Sequence, residues 1–261
     1  YRVAKSSFGP WRKPKKDGIG GRRFYAAKSM QDDDGRRFYF GWAHDRADRS
    51  DRGEWYWGGT FCVPHEVVAT ADGELDVKLP EEYEHVFEKP VDWDYIPVLG
   101  NAELYGDRLV EMDSVSTCTY GFLGHSEESY MLKCKIMPRE VYDHFGILLK
   151  SDKEASGCLL LEFDVAMQRV SLVNLPMGVD PFWIQSCQAV PPATEPGPDG
   201  VRVCEKTFDI TEGSEIDVKI IVDHDMIDVF VGEQVAFTYR IYAKPEFETG
   251  LLAQDARVEF Y

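Results

Sequence analysis

Two aromatic-rich segments on either side of an acidic turn constrain the fold of this chain more than any other feature. Residues 24–30 and 37–43 are dense in Phe, Tyr and Trp, and the sequence Gln-Asp-Asp-Asp-Gly joins them over residues 31–35. Aromatic residues favour strands, whereas Asp and Gly favour tight turns. The pattern therefore predicts a β-hairpin near the start of the chain.

The composition extends this prediction to the whole chain and excludes some classes of function. Aromatic residues make up 13% of the 261 positions, which favours strands over helices. The net charge of −17 would repel a polyanion, so we expect no nucleic acid partner. No apolar run reaches the roughly 18 residues that span a bilayer, and we expect no membrane partner.

The first third of the chain has the strand content of one propeller blade. After the hairpin, residues 55–69 predict a long strand kinked at Gly58-Gly59 and at Pro64, and residues 74–79 predict another. Four antiparallel strands with Gly- and Asp-rich turns are typical of a blade. Residues 80–88 are the best helix candidate, because Pro80 and several acidic residues suit the start of a helix.

From about Gly100 onward, short strand candidates follow one another at fairly regular spacing up to residue 260, which predicts a β-sandwich. The expected fold is therefore all-β, a partial propeller (its last blade) followed by a C-terminal β-sandwich. The expected boundaries are an incomplete blade over residues 1–88, a linker over 89–98 and the sandwich over 99–261.

Several strings that resemble chemical motifs have simpler structural explanations. His65-Glu66 lacks the second His of a zinc helix, and residues 32–34 are three Asp that suit a hairpin turn better than a calcium loop. Residues 223–225, Asp-His-Asp, suit a polar turn between two strands better than a device that orients a histidine. We therefore predict no metal site and no cofactor.

The six cysteines are widely spaced and form no Cys-x-x-Cys pair. In a chain of this size they are more simply explained as reduced, small apolar side chains than as disulfides. Together with a start that does not look like a signal peptide, this favours a cytoplasmic location over secretion.

An ordered series of short strings resembles the last propeller blade of the β-fructosidases of glycoside hydrolase family 32. The second half of the chain is similar to the sandwich of that family over residues 227–232 and 238–242. The strings of the blade are Phe24-Tyr25-Ala26-Ala27-Lys28, Phe38-Tyr39-Phe40-Gly41-Trp42, Trp57-Gly58-Gly59, Pro64-His65, Asp72-Gly73-Glu74-Leu75 and Leu79-Pro80.

The resemblance implies that Tyr25 and Trp42 line a fructose subsite. An aromatic face packs on the apolar face of a sugar ring, and the Tyr hydroxyl can form a hydrogen bond. The alternative is that both residues belong to the core of the blade. Two positions depart from the family pattern: Arg23 stands where the family has Asp, and His65 stands where it has Arg after Pro.

The family's catalytic strings, Asn-Asp-Pro, Arg-Asp-Pro and Glu-Cys, do not occur in the sequence, and the nearest is Val179-Asp180-Pro181. A retaining glycosidase needs two carboxylates about 5–5.5 Å apart, and 46 acidic residues do not single out such a pair. We therefore assign no catalytic residue. The chain starts at Tyr1, and we expect about four more blades to be supplied upstream or by a partner chain.

The sequence thus predicts the C-terminal portion of a glycoside hydrolase that acts on sucrose or fructans by a retaining mechanism and is inactive by itself. Two alternatives stay open. One is a non-catalytic carbohydrate-binding or assembly module, and the other is a fructosyl transferase.

Overall fold

The computed structural model describes residues 1–50, 53–124, 127–152, 157–175, 202–242 and 248–261. The strands form two bodies, a five-stranded antiparallel sheet followed by a larger ladder of twelve strands. The helices in the described ranges are two short 3₁₀ turns, Ala47–Arg49 and Glu81–His85. The all-β prediction is confirmed.

The five-stranded sheet, called the first sheet below, contains the predicted hairpin. Its central strand β2 pairs with β1 on one side and with β3 and then β4 on the other, while β5 pairs with β4. The strands are β1 (Tyr25–Gln31), β2 (Arg37–Arg46), β3 (Trp55–Phe61), β4 (His65–Ala69) and β5 (Leu75–Lys78).

The long strand predicted over residues 55–69 is interrupted before Pro64, where the sequence indicated a kink. Proline has no N–H group to donate to a ladder. The preceding N–H, that of Val63, donates to the Asp228 carboxylate at 3.2 Å instead of to β2. β3 and β4 therefore pair with different parts of the same edge of β2, separated by residues 62–64.

The helix candidate over residues 80–88 is the 3₁₀ turn Glu81–His85. Its Glu84 carboxylate accepts hydrogen bonds from the ammonium groups of Lys133 at 2.8 Å and Lys219 at 2.6 Å. These two lysines lower the pKa of Glu84 to about 2. The turn is therefore held against the larger ladder. β6 (Asp94–Leu99) overlaps the expected linker and is already a strand of that ladder.

The larger ladder holds β6 and the eleven strands that follow it. These are β7 (Asn101–Tyr105), β8 (Leu109–Asp113), β9 (Cys118–Gly124), β10 (Ser129–Ser151), β11 (Cys158–Asp164), β12 (Arg169–Leu175), β13 (Arg202–Thr207), β14 (Ile216–Asp223), β15 (Met226–Val231), β16 (Val235–Arg240) and β17 (Glu248–Phe260).

The ladder folds into two layers because β10 and β17 run through both. In the first layer the order is β6-β9-β17-β10-β11-β12-β13, and in the second it is β7-β8-β17-β10-β14-β15-β16. The register of β10 against β17 shifts between Pro138 and Glu140 and again between Val141 and His144. Such bulges bend a strand, which lets it pass from one layer to the other.

The two layers enclose one apolar core, so the predicted β-sandwich is confirmed. Phe145 and Phe163 of the first layer stack with ring centroids 5.2 Å apart and are fully buried. Side chains of the second layer face them, among them Ile136, Val218, Ile220, Val229 and Phe237.

The first sheet packs on the outer face of the second layer. Strands β15 and β16 are buried along their whole length, because alternate side chains face the sandwich core and the first sheet. The apolar part of this interface includes Val67, Val77 and Leu79 from the first sheet with Ile221, Phe230 and Ala236 from the sandwich. The face toward the first sheet also carries three polar side chains, Asp228, Thr238 and Arg240.

Candidate functional site

Four rings meet on the first sheet and form what we call the aromatic cluster: Tyr25 on β1, Trp42 and His44 on β2, and Trp57 on β3. Tyr25 and Trp42 are paired across the two strands. Trp42 and His44 are two residues apart and so lie on the same face of β2. The structure thus brings together the two predicted site residues, and their role in binding a sugar stays a prediction.

The cluster is packed edge to face. The ring centroids of Tyr25 and Trp42 are 5.3 Å apart, those of Tyr25 and Trp57 are 5.8 Å apart, and those of Trp42 and Trp57 are 5.5 Å apart, with interplanar angles of 81–88°. These distances are in the favourable range for aromatic pairs. The outer rings remain open to solvent, since Trp57 is 80% exposed and Tyr25 is 40% exposed.

His44 closes the inner side of the cluster. Its ring lies 4.4 Å from that of Trp42 and 4.7 Å from that of Tyr25. Burial lowers the pKa of His44, and the positive charge of Arg23 lowers it further. The imidazole is therefore neutral at neutral pH and can donate one hydrogen bond and accept another. Arg23, a departure from the family pattern, thus acts on the cluster through charge.

The strands under the cluster are irregular. The register of β1 against β2 shifts between Tyr25 and Lys28, where Ala26 has a φ of 48°. The register of β2 against β3 shifts between His44 and Arg46. Bulges redirect side chains and are frequent beside active sites. Here the extra residues are on β1, directly after Tyr25, and on β3, where they include Trp57.

His65, the second departure from the family pattern, lies in the interface and not in the aromatic cluster. It is fully buried, stacks on Phe24 at 4.1 Å and meets Phe230 edge-on at 5.1 Å. Its Nδ1 is 2.9 Å from the carbonyl oxygen of Val63. Burial lowers its pKa to about 4, so this imidazole is neutral and packs as a core ring.

Other sequence candidates take structural roles. The Asp32 carboxylate accepts hydrogen bonds from the N–H groups of Asp34 at 3.1 Å and Arg36 at 2.8 Å, as in a hairpin turn. Asp223 and His224 lie at the turn between β14 and β15, where Ser129 donates to Asp223 at 2.7 Å. Among the described residues, no group of three or more His, Cys, Asp or Glu is placed to hold a metal ion.

The cysteines that the structure describes are free thiols: Cys62, Cys118, Cys134, Cys158 and Cys204. Within the same ranges, no helix is long and apolar enough to cross a membrane. Residues 179–181 and Cys187 lie outside the described residues.

The sequence prediction did not include His44 and Trp57, which the structure adds to the aromatic cluster. Trp57 stands in the Trp-Gly-Gly string, which already carried the family resemblance. The spacing of Trp42 and His44, two positions apart on one strand, was the available signal for His44.

The architecture defines an all-β protein in which an aromatic-bearing sheet is backed by a β-sandwich. The family described as "Glycosyl hydrolases family 32 C terminal" matches residues 108–260. The chain therefore belongs to glycoside hydrolase family 32, and the match falls on the sandwich.

Solved structures of similar fold extend the likeness to both bodies. Exo-inulinase from Aspergillus awamori is 16% identical with a TM-score of 0.59, over 93% of this chain and 43% of that chain. Sucrose-6-phosphate hydrolase from Lactobacillus gasseri is 14% identical with a TM-score of 0.55, over 93% and 41%. Fructan 1-exohydrolase IIa from Cichorium intybus, in complex with 1-kestose, is 18% identical with a TM-score of 0.54, over 93% and 48%.

At these identities the likeness shows the fold alone. The chain spans less than half the length of these three structures. No curated protein matches the sequence.

Proposed function

We propose that this chain is the C-terminal portion of a glycoside hydrolase that acts on sucrose or fructans, and that its first sheet is a propeller blade forming one wall of the sugar pocket. The observation that carries the proposal is the aromatic cluster, in which Tyr25 and Trp42 lie together on a sheet fastened to a family 32 sandwich. The similarity to an exo-inulinase and to a fructan exohydrolase supports it.

The chemistry of the cluster suits the binding of a sugar ring. The open face of Trp57 can pack on the apolar face of the ring, and the Tyr25 hydroxyl and the neutral His44 imidazole can bond its hydroxyls. None of these groups is a nucleophile or a strong acid. The cluster therefore orients the sugar and excludes water on one side, and bond cleavage is left to other residues.

Cleavage with retention requires a carboxylate nucleophile and a carboxylic acid on either side of the bond. We place both outside these 261 residues, because the three family strings that hold such groups are absent from the sequence. The partner that supplies them is a set of further blades, from the same polypeptide or from a second one. Exposed aromatic side chains on β3 outside the cluster suit contact with such a sheet: Tyr56 and Phe61 are 53% and 79% exposed.

The test is fructose release by the purified chain. We expect none from sucrose or inulin, since the catalytic carboxylates are absent. Measurable release that tracks the chain through purification would contradict this placement. The coding sequence in front of Tyr1 is the companion observation, and we expect it to encode Asn-Asp-Pro, Arg-Asp-Pro and Glu-Cys in that order.

Saturable sugar binding or a stable complex without hydrolysis, even with the upstream sequence restored, would instead identify a carbohydrate-binding or assembly module. Products longer than the donor sugar would instead identify a fructosyl transferase.

A further inference from the structure

Arg240 connects the sandwich to the aromatic cluster. It belongs to β16, is 1% exposed, and points toward the first sheet. Its Nη1 donates to the carbonyl oxygen of His44 at 3.0 Å and to the Asp45 carboxylate. Its Nη2 donates to the Thr60 hydroxyl on β3. One buried guanidinium thus holds both β2, which carries Trp42 and His44, and β3, which carries Trp57.

The contacts of Arg240 fall where β2 and β3 lose their regular pairing. Between the pairs His44–Gly59 and Arg46–Trp55, one residue of β2, Asp45, stands opposite residues 56–58 of β3, so the extra residues belong to β3. The hydroxyl of Tyr242, two residues after Arg240, accepts the N–H of Arg46 at 2.9 Å. The backbone groups on both sides of Asp45 are therefore bonded by the sandwich. Because the ladder with β3 is interrupted here, these bonds hold the β2 backbone on either side of Asp45, and with it the direction of the His44 ring.

The buried charge has partners that suit a guanidinium. Besides Asp45, the carboxylate of Asp225 lies 3.6 Å from Arg240 Nε. The Nη donors of Arg240 reach His44, Asp45, Thr60 and, at 3.5 Å, the hydroxyl of Tyr242. The planar fork of arginine allows contacts in these different directions, and the single ammonium of lysine does not. A merely charged residue at this position would satisfy the carboxylates but not hold β2 and β3 together.

We propose that Arg240 is a positioning residue: it holds His44 in the aromatic cluster, so that the sandwich sets the geometry of the candidate sugar site. The link to sugar recognition rests on the proposed function. The placement of His44 by Arg240 is independent of the proposed function and can be tested without any sugar.

The experiment follows the titration of His44 through its neighbour Trp42, by fluorine NMR of the full chain labelled with fluorotryptophan. His44→Gln identifies the part of the Trp42 shift that comes from His44. We expect the wild-type midpoint to lie below 6.5, the ordinary pKa of His. In Arg240→Met we expect the His44 ring to leave the cluster for water. The pH-dependent change in the fluorine chemical shift of Trp42 should then become smaller, and the midpoint of that titration should rise toward 6.5. Arg240→Lys should behave like Arg240→Met.

Arg49→Met is the matched control. Arg49 also pairs with Asp225, at 3.2 Å, and lies over the Tyr242 ring, but it is 73% exposed. We expect its Trp42 titration to equal that of the wild type. A folded Arg240→Met with an unchanged titration would overturn the proposal. If Arg240→Met does not fold, Thr60→Val decides, because it removes only the hydroxyl that Nη2 contacts: a smaller shift in the same direction supports the proposal, and no shift overturns it.

A sucrose titration of the same samples separates the two proposals. Absence of sucrose binding by the wild-type chain together with its upstream blades would argue against the proposed function and leave the Trp42 result intact. If sucrose binds, Arg240→Met should bind it more weakly than Arg49→Met.

Discussion

Trp42 and Trp57 belong to one cluster but differ in exposure. Trp42 is half-buried between β1 and β3, whereas Trp57 is 80% exposed. The sequence left open whether the aromatic residues of the hairpin are core or site. In the structure Trp42 has features of both, because it packs against three other rings and its cluster reaches the surface.

Substituting each tryptophan separates stability from recognition. We expect Trp42→Ala to lower the free energy of unfolding by about 2 kcal/mol, less than a fully buried Trp would cost. Trp57→Ala should change it by less than about 0.5 kcal/mol. Urea unfolding measures both. With the upstream blades present, Trp57→Ala should weaken sucrose binding, while Trp11→Ala, at a residue 60% exposed away from the cluster, should not. Equal binding by these two variants would remove Trp57 from the site.

At the scale of elements, the segment between β3 and β4 is held from both sides by groups that titrate. The N–H of Val63 donates to Asp228 of the sandwich, and its carbonyl oxygen faces Nδ1 of His65. Burial raises the pKa of Asp228 to about 7, against hydrogen bonds from Thr238 and Val63 that lower it, and burial lowers the pKa of His65 to about 4. Both groups are therefore neutral in the folded chain between those values.

These opposite shifts predict an unusual dependence of stability on pH. Between pH of about 4 and 6.5, unfolding lets His65 take up a proton, which favours the unfolded state more as pH falls. Over the same range unfolding lets Asp228 lose a proton, which favours the unfolded state more as pH rises. The two effects cancel, so His65 and Asp228 together do not change the free energy of unfolding with pH in this range. Above pH of about 6.5 only the Asp228 effect remains, and stability falls up to pH of about 7.

Asp228→Asn should expose the His65 effect. The variant keeps an acceptor for Val63 but no longer titrates. Relative to the wild type, its stability should rise with pH by about 3 kcal/mol between pH of about 4 and 6.5. His65→Gln should show the opposite slope. Urea unfolding at several pH values measures this, and parallel profiles for the wild type and both variants would contradict it.

The sequence predicted the elements formed by neighbouring residues and missed those formed by distant ones. The hairpin and the break at Pro64 follow from local turn chemistry and from proline. β10 is one strand of 23 residues where the sequence indicated two, because Pro138 and the polar residues after it interrupt the pattern at the bulges. β6 was read as linker, since its strand partner β9 lies some distance along the chain.

The same limit applies to the candidate site. Tyr25 and Trp42 stand in strings with a family resemblance, and the hairpin brings them together. Arg240 reaches the cluster only through the packing of β16 on β2, which no local pattern encodes.

The first sheet relies on the sandwich for its stability more than the sandwich relies on the first sheet. The sandwich encloses a core of its own, whereas the buried side chains Val67, Val77 and Leu79 of the first sheet pack against sandwich residues. Phe230, 2% exposed, supplies a ring to this interface and meets His65. The interface is therefore where the first sheet gains most of its order.

Phe230→Ala should release the first sheet before the sandwich unfolds. The lost side chain is worth about 3–5 kcal/mol, and the loss falls on the interface. Hydrogen exchange should show reduced protection in β1 to β5 with protection retained in β11 and β12. Phe163→Ala, which removes a buried Phe from the sandwich core, should reduce protection in both bodies. Uniform loss of protection in Phe230→Ala would show that the two bodies unfold as one unit.

The central position of β17 has a consequence for how the chain is made. This strand pairs with β8, β9 and β10 and runs through both layers, so neither layer is continuous without it. Synthesis proceeds at roughly 5–20 residues per second, so the edges of β8, β9 and β10 that pair with β17 stay unpaired until β17 has been made. Such edges are templates for aggregation. A ribosome that pauses before Glu248 would therefore leave a nascent chain in need of a chaperone, even though most of its strands have already been made.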